Sequence, residues 1–326
     1  MKLKISVKTL CNRTGMSRQN YYKGHKRRQR KEVDAGVIEG LVRSERAQQP
    51  RLGGKKLYHI LKPELKDVGV KIGRDLFFEV LKKKGLLLER LPKSPRTTNS
   101  RHSLPVFTNQ FKDMEITAPN QAWVSDITYI RTDEGFLYLS LITDAYSRMI
   151  TGFYGGDTLE TEGCLKALEM ALKGLGNREK PLHHSDRGSQ YCSHVYVEKL
   201  QEYALSISMT QENHCYENAM AERVNGILKQ EYGLGTKFRT KQQAVVSIKQ
   251  SVHLYNTRRP HLALKYKTPR QRFTSRPHDF YPPPEEGKLS LKRKMTKEST
   301  NEKVTTLNQD VTKGNGLVRA GWIFYD

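Results

Sequence analysis

From residue 123 onward, apolar positions fall first into short β-branched and aromatic runs and then into helical spacing. Trp123-Val124-Ser125-Asp126-Ile127-Thr128-Tyr129-Ile130 predicts a strand. A turn at Asp133-Glu134-Gly135 leads to a second strand over 136–143, and Asp144-Ala145-Tyr146-Ser147-Arg148 leads to a third over 149–154. Three strands joined by short loops predict an antiparallel meander. Cys164, Leu165, Leu168, Ala171 and Leu172 then recur at helical spacing. A short strand over 181–184, a helix over 195–203, a strand over 205–209 and helices over 218–232 and 241–255 follow. Helices alternating with strands after a meander predict an α/β domain, a mixed sheet covered by helices.

Upstream the spacing is helical throughout. Val7, Leu10 and Cys11 mark one helix, Thr14-Gly15-Met16-Ser17 a turn and N-cap, and Arg18 to Lys23 the opening of a second helix. That is a helix-turn-helix outline, followed by a basic tract at Arg27, Arg28, Arg30 and Lys31, so residues 1–31 read as a basic DNA-reading arm. Residues 34–91 read as a second helical DNA-binding unit. Its three amphipathic helices are marked by Val37, Ile38, Leu41 and Val42, by Leu57, Tyr58, Ile60 and Leu61, and by Leu76, Phe77, Val80 and Leu81. Prolines with Ser, Thr, Arg and Asn make residues 92–118 a linker, and residues 276–326, poor in apolar side chains, read as a basic and largely disordered tail. Within that tail Trp322-Ile323-Phe324-Tyr325 is apolar enough to dock.

Charge sharpens this division. The chain of 326 residues holds 57 Lys and Arg against 34 Asp and Glu, a net +23, yet residues 122–232 carry 10 basic and 16 acidic side chains. An acidic centre between basic arms points to a metal in the middle and a polyanion along the outside, rather than to charge kept for solubility. Four scattered cysteines, Cys11, Cys164, Cys192 and Cys215, fit a reduced compartment better than a disulfide framework. Cys192, His194, His214 and Cys215 lack the paired spacing of a zinc site. The absence of an apolar run of 18 residues or a signal-like start predicts a cytoplasmic protein with no membrane partner.

Three carboxylates stand out. Asp126 lies inside a strand, Asp186 opens the loop Ser185-Asp186-Arg187-Gly188-Ser189, and Glu222 sits on the helix that follows. Phosphodiester chemistry needs an activated nucleophile and a stabilised leaving oxygen, and two divalent cations about 3.5–4 Å apart supply both. Oxygen donors suit Mg²⁺. On the third element Asn218, Glu222, Asn225 and Lys229 share one helical face, which suits either a site or a solvated surface. Glu217 competes with Glu222 for the third role, but it lies where a helix start favours an acid anyway. Asp144, Asp133, Glu134 and Asp157 read as turn or loop residues, and His184 as either a site-lining or a structural histidine. No Gly-x-Ser-x-Gly elbow supports a serine hydrolase.

Three segments together resemble the integrase-type catalytic domain, in particular bacterial insertion-sequence transposases of the DDE type, related to retroviral integrases. They are Trp123 to Tyr129, His184-Ser185-Asp186-Arg187-Gly188-Ser189-Gln190-Tyr191, and Asn213-His214-Cys215-Tyr216-Glu217-Asn218-Ala219-Met220-Ala221-Glu222. The family's acids fall on Asp126, Asp186 and Glu222, with thirty-five residues before the last, and its basic residue two turns on falls on Lys229. Tyr255-Asn256, Arg259-Pro260-His261, Leu264 and Thr268-Pro269 match the segment that closes this domain, giving a catalytic core over 119–275. Gly53-Gly54-Lys55-Lys56-Leu57-Tyr58 resembles the family's upstream helix-turn-helix region. Glu217 stands where the family more often has aspartate, the tail is longer than expected, and no retroviral His-His-Cys-Cys module is evident.

The resemblance implies a ribonuclease H-like mixed five-stranded sheet flanked by helices, with N-terminal all-α helix-turn-helix regions. It implies Mg²⁺ (or Mn²⁺), two per active site, and cleavage and strand transfer of DNA at an element's ends. Expected partners are double-stranded DNA (terminal repeats and target), a second copy of the chain on paired ends, and an upstream-frame helix-turn-helix protein. The expected place is the bacterial cytoplasm at the nucleoid. Candidate DNA contacts are Lys229, Asn225, Arg18, Lys23, Lys55, Lys56, Arg74, Arg258 and Arg259. The rivals are a catalytically inactive DNA-binding derivative and a nuclease that cuts without joining.

Overall fold

Helix α1 (Val7–Thr14) is capped by Ser6, whose hydroxyl accepts from the Thr9 amide, and ends at Gly15 with φ of 66°, a left-handed turn that suits glycine. Ser17 caps α2 (Arg18–Gln48) in the same way, its hydroxyl accepting from the Asn20 amide. The computed structural model describes residues 6–89, 104–176, 178–211 and 218–275. Expectations for the tail at 276–326, for 92–103 of the linker, and for Glu212, His214, Cys215 and Glu217 lie outside the described residues.

One difference from the sequence reading is immediate. Helix α2 runs unbroken through the boundary expected between residues 31 and 34. Lys26 to Glu32 are good helix formers and no proline interrupts them, so the basic tract is a solvated stretch of helix rather than the end of an arm. The second half of α2 packs with α3 (Gly54–Asp67) and α4 (Arg74–Lys83). Ile38, Val42, Leu57, Leu61, Phe77 and Leu81, all marked by the helical spacing, form their shared core together with Leu65.

The linker is shorter than 92–118. From Leu104 the chain lies against the sheet domain: Leu104, Phe107, Phe111, Met114 and Ile116 pack on its two sides, and the Gln110 amide donates to Ser208 Oγ at 2.9 Å. Apolar side chains every few residues distinguish this stretch from the Pro-rich part before it.

The domain is built on β1 (Ala122–Thr132), β2 (Gly135–Asp144) and β3 (Ile150–Gly156), paired antiparallel. Gly135, at φ of 105°, closes the β1–β2 turn in a backbone state that other residues resist. Next come α5 (Thr161–Lys173), β4 (Leu182–Ser185), α6 (Ser189–Cys192), α7 (His194–Glu202) and β5 (Ile207–Met209). The chain then continues through α8 (Ala219–Glu231), α9 (Lys241–Thr257) and α10 (Pro269–Thr274). The sheet order is β3-β2-β1-β4-β5, with β1–β4 and β4–β5 parallel. One face packs Trp123, Ile142, Leu168, Tyr196 and Leu200 under α5 and α7; the other packs Ile130, Leu139, Val224, Ile248 and Tyr255 under α8 and α9. At Gly152, α5 approaches so closely that a Cβ would stand 2.1 Å from the Ala167 carbonyl oxygen. Among the described residues no helix is long and apolar enough to cross a membrane. Cys11, Cys164 and Cys192 are buried thiols.

Candidate active site

Strand β1 splits its side chains by the period of two. Ser125 faces α7, its hydroxyl 2.8 Å from His183 Nε2, while Asp126 faces α8, its Oδ2 accepting from Asn225 Nδ2 at 2.8 Å. The parallel register pairs Trp123 with His183 and Val124 with His184. The same offset carried two residues further brings Asp186, just beyond the end of β4, level with Asp126. Neighbouring strands lie about 4.8 Å apart. Asp186 Oδ1 accepts from the Gly188 amide at 3.0 Å, which turns the loop back on itself.

Helix α8 is fastened to β1 by two asparagines. Asn218 Nδ2 donates to the Ser125 carbonyl at 3.0 Å, and Asn225 holds Asp126. Glu222 lies between them on the same helical face, half-buried. Asn225 is thus a buried partner of Asp126.

The electrostatics report the same convergence. Burial and the neighbouring charge of Asp186 push the Asp126 carboxyl up to about 7 from its ordinary 3.8; the bond from Asn225 opposes this, and Glu222 adds to it. Burial lowers the Lys229 ammonium, while the charge of Asp126 acts to raise it, so Lys229 also stands within the field of the strand acid. Among the described residues no three His, Cys, Asp or Glu side chains close into a ready-made metal cage.

The flanking cations divide sharply. Arg18, Lys23, Lys55 and Arg74 are exposed, Arg74 beside Asp75. Lys56, Arg258 and Arg259 have another task. Arg259, 3% exposed, grips Glu231 with Nε and Nη2, each at 2.8 Å, and Lys56 Nζ lies 2.7 Å from the same carboxylate. Arg258 makes a two-point contact with buried Glu45 at 3.0 and 2.7 Å. These three pair with acids of the protein itself, Arg258 while still partly exposed.

Other residues weighed from the sequence settle as structural. Asp144 is buried and accepts from the Asn120 amide and from the Ser147 amide and hydroxyl. His184 stacks on Phe111 at 4.7 Å, with Nδ1 2.9 Å from Ser208 Oγ. Cys192 Sγ rests 3.6 Å from Met209 Sδ.

Residues 116–215 match the model of an integrase core domain, and residues 203–269 match a second integrase core domain model. An uncharacterized 31 kDa protein of insertion element IS600 from Shigella sonnei is 34% identical over 259 residues, covering 78% of this chain and 94% of that protein. The chain belongs to the integrase-core transposase family of bacterial insertion sequences. Transposase InsF for insertion sequence IS3A of Escherichia coli (strain K12) is 31% identical over 243 residues, 72% of this chain and 82% of that one. Among solved structures, the trimeric form of the HTLV-2 integrase catalytic core domain in complex with magnesium shares 20% identity, with a TM-score of 0.39, over 48% of this chain and 97% of that one.

The mixed five-stranded sheet flanked by helices is the integrase core of this transposase family, and an activity of the DNA-transposase kind goes with membership. Sequence reasoning missed Glu231, Glu45 and Gln49, whose partners lie far away along the chain; Lys56 and Glu231 are 175 residues apart. It also missed Asn256, which clamps the Ile150 backbone with both side-chain atoms at 2.9 Å. The Tyr255-Asn256 motif was the available signal for that residue.

Proposed function

We propose that this chain cleaves DNA at the ends of an insertion sequence and joins the freed ends to a target, with Asp126, Asp186 and Glu222 as the acidic triad. The observation that carries the reading is the fastening of α8 across β1: Asn218 and Asn225 bind that strand on either side of Glu222, over the edge where Asp186 leaves β4. An Asp126 carboxylate whose proton affinity is raised by burial and by the charges of Asp186 and Glu222 is a poor resting arrangement for a protein alone and a good one for a divalent cation. The donors are all oxygens, which fits Mg²⁺ or Mn²⁺ and not a thiol-seeking metal.

Asp126, on a central strand, would hold the ions together with Asp186 and Glu222. When bound, such ions activate the attacking hydroxyl or water and stabilise the leaving oxygen. The chain's own residues do the rest. Asn225 holds the Asp126 carboxylate in one orientation. Lys229, two turns beyond Glu222, offers a cation to the DNA phosphate beside the reacting bond. Exposed Arg18, Lys23, Lys55 and Arg74 supply phosphate contacts along double-stranded DNA. A second copy of the chain on the paired end belongs to the same reading.

The test is a strand-transfer assay with labelled element ends and Mg²⁺. Wild type yields joined product; Asp126→Asn, Asp186→Asn and Glu222→Gln each lose cleavage and joining while retaining end binding. Cut product without joining would make the chain a nuclease, and binding alone would make it an inactive derivative.

A further inference from the structure

The end of α8 remote from Glu222 is held by a different part of the molecule. Glu231, its last residue, is 18% exposed at the side chain and receives two hydrogen bonds from Arg259 and two from Lys56, at 2.7–3.0 Å. Its backbone is held as well, since the Arg51 amide donates to the Glu231 carbonyl at 3.1 Å. Next to it Tyr232 donates its hydroxyl to Gln49 at 3.0 Å, and Gln49 donates to Glu45 at 2.7 Å. Arg51 and Lys56 belong to the helical unit, Arg259 follows α9, and all three meet on one carboxylate-bearing residue.

This contact is exacting rather than strongly stabilising. Ion pairs removed from water gain little net free energy, but a two-point guanidinium–carboxylate contact fixes orientation and distance. A helix is stiff along its axis, and Glu231 lies nine positions beyond Glu222, about 13.5 Å of rise. A slip at Glu231 therefore arrives at Glu222 nearly undiminished.

We propose that Glu231 is a positioning residue: clamped by Lys56 and Arg259, it sets where α8 presents Glu222, and so links the helical unit's grip on DNA to the readiness of the acidic triad. This rests on the assignment of Glu222 given above. Glu39 supplies the comparison. It is a carboxylate of the helical unit, paired with Arg43 and Lys84 inside that unit.

The experiment compares full-length wild type, Glu231→Gln, Lys56→Met, Glu39→Gln and Glu222→Gln. The probe is a labelled duplex carrying the element's terminal repeat. Cleavage rate at saturating duplex, duplex Kd, half-saturating Mg²⁺ in thermal shift, and hydrogen exchange of residues 219–228 are measured. A misplacement of about 1 Å costs on the order of a hundredfold in rate. We expect that loss in Glu231→Gln with duplex Kd nearly unchanged, a higher Mg²⁺ requirement and faster exchange in α8. Lys56→Met, which leaves the Arg259 contact intact, shows the same pattern more weakly and serves if Glu231→Gln does not fold. Glu39→Gln leaves Mg²⁺ response and α8 exchange as in wild type. Equal changes in Glu39→Gln and Lys56→Met, or none in either Glu231→Gln or Lys56→Met, overturn the proposal. If Glu222→Gln itself keeps cleavage and Mg²⁺ response, the triad assignment fails instead.

Discussion

Replacing Asp126 by asparagine should make the metal-free protein more stable, and more so at higher pH. Burial and the charges of Asp186 and Glu222 raise the Asp126 carboxyl from 3.8 to about 7. An unfolded chain gives up this proton near 3.8 while the folded one keeps it to about 7. Between those values the folded state therefore binds more protons, and stability falls as pH rises. The contribution is full below 3.8 and gone above about 7. At about 1.4 kcal/mol per pH unit, and after allowing for screening at a half-buried site, the ionised carboxylate costs on the order of 2–4 kcal/mol. Asparagine keeps an oxygen for the Asn225 bond and carries no charge. Thermal melts in chelator should place Asp126→Asn roughly 5–10 °C above wild type at pH 8, with the gap closing toward pH 4. Adding Mg²⁺ at pH 8 should raise the wild-type melt and leave the variant's unchanged. A gain independent of pH, or a variant less stable than wild type at pH 8, would refute the idea that three acids crowd one another here.

Gly152→Ala should destabilise by about 3 kcal/mol or more, because the new methyl meets the backbone of α5 rather than a movable side chain; urea denaturation reads this directly. Thr268→Ala removes the hydroxyl half of the capping box that opens α10, the bond from the Gln271 amide, while the backbone amide at that position still donates to Gln271 Oε1; it should cost about 1 kcal/mol by the same assay. Lys229→Ala should weaken binding of element-end DNA and flatten its salt dependence by about one ion, with the Mg²⁺-induced thermal shift unchanged; unaltered DNA affinity would remove Lys229 from the contact surface.

What the sequence disclosed follows from how local each signal is. The five strands lie within two residues of the apolar runs that predicted them, because period and β-branching are written in neighbouring positions. The caps at Ser17 and Gly15 were legible for the same reason. The three acids stood out because a charge is foreign to a strand core and because the surrounding motifs are specific. Ion pairs between distant segments left no such trace. Lys56, Arg258 and Arg259 look like phosphate contacts in sequence, and only tertiary structure supplies Glu231 and Glu45. The bond from Asn225 to Asp126 left none either, since a polar helix face gives no sign of which polar group will lie against it.

The pairing of β1 with β4 has an evolutionary consequence. A single residue inserted between Val124 and Asp126, or between His184 and Asp186, would turn one aspartate through the sheet to the side occupied by α5 and α7. Lengthening the connection between β5 and α8 would alter neither strand. Descendants of this chain are therefore free to vary the distance from Asp186 to Glu222, but not the two short steps that lead out of the paired strands to the aspartates.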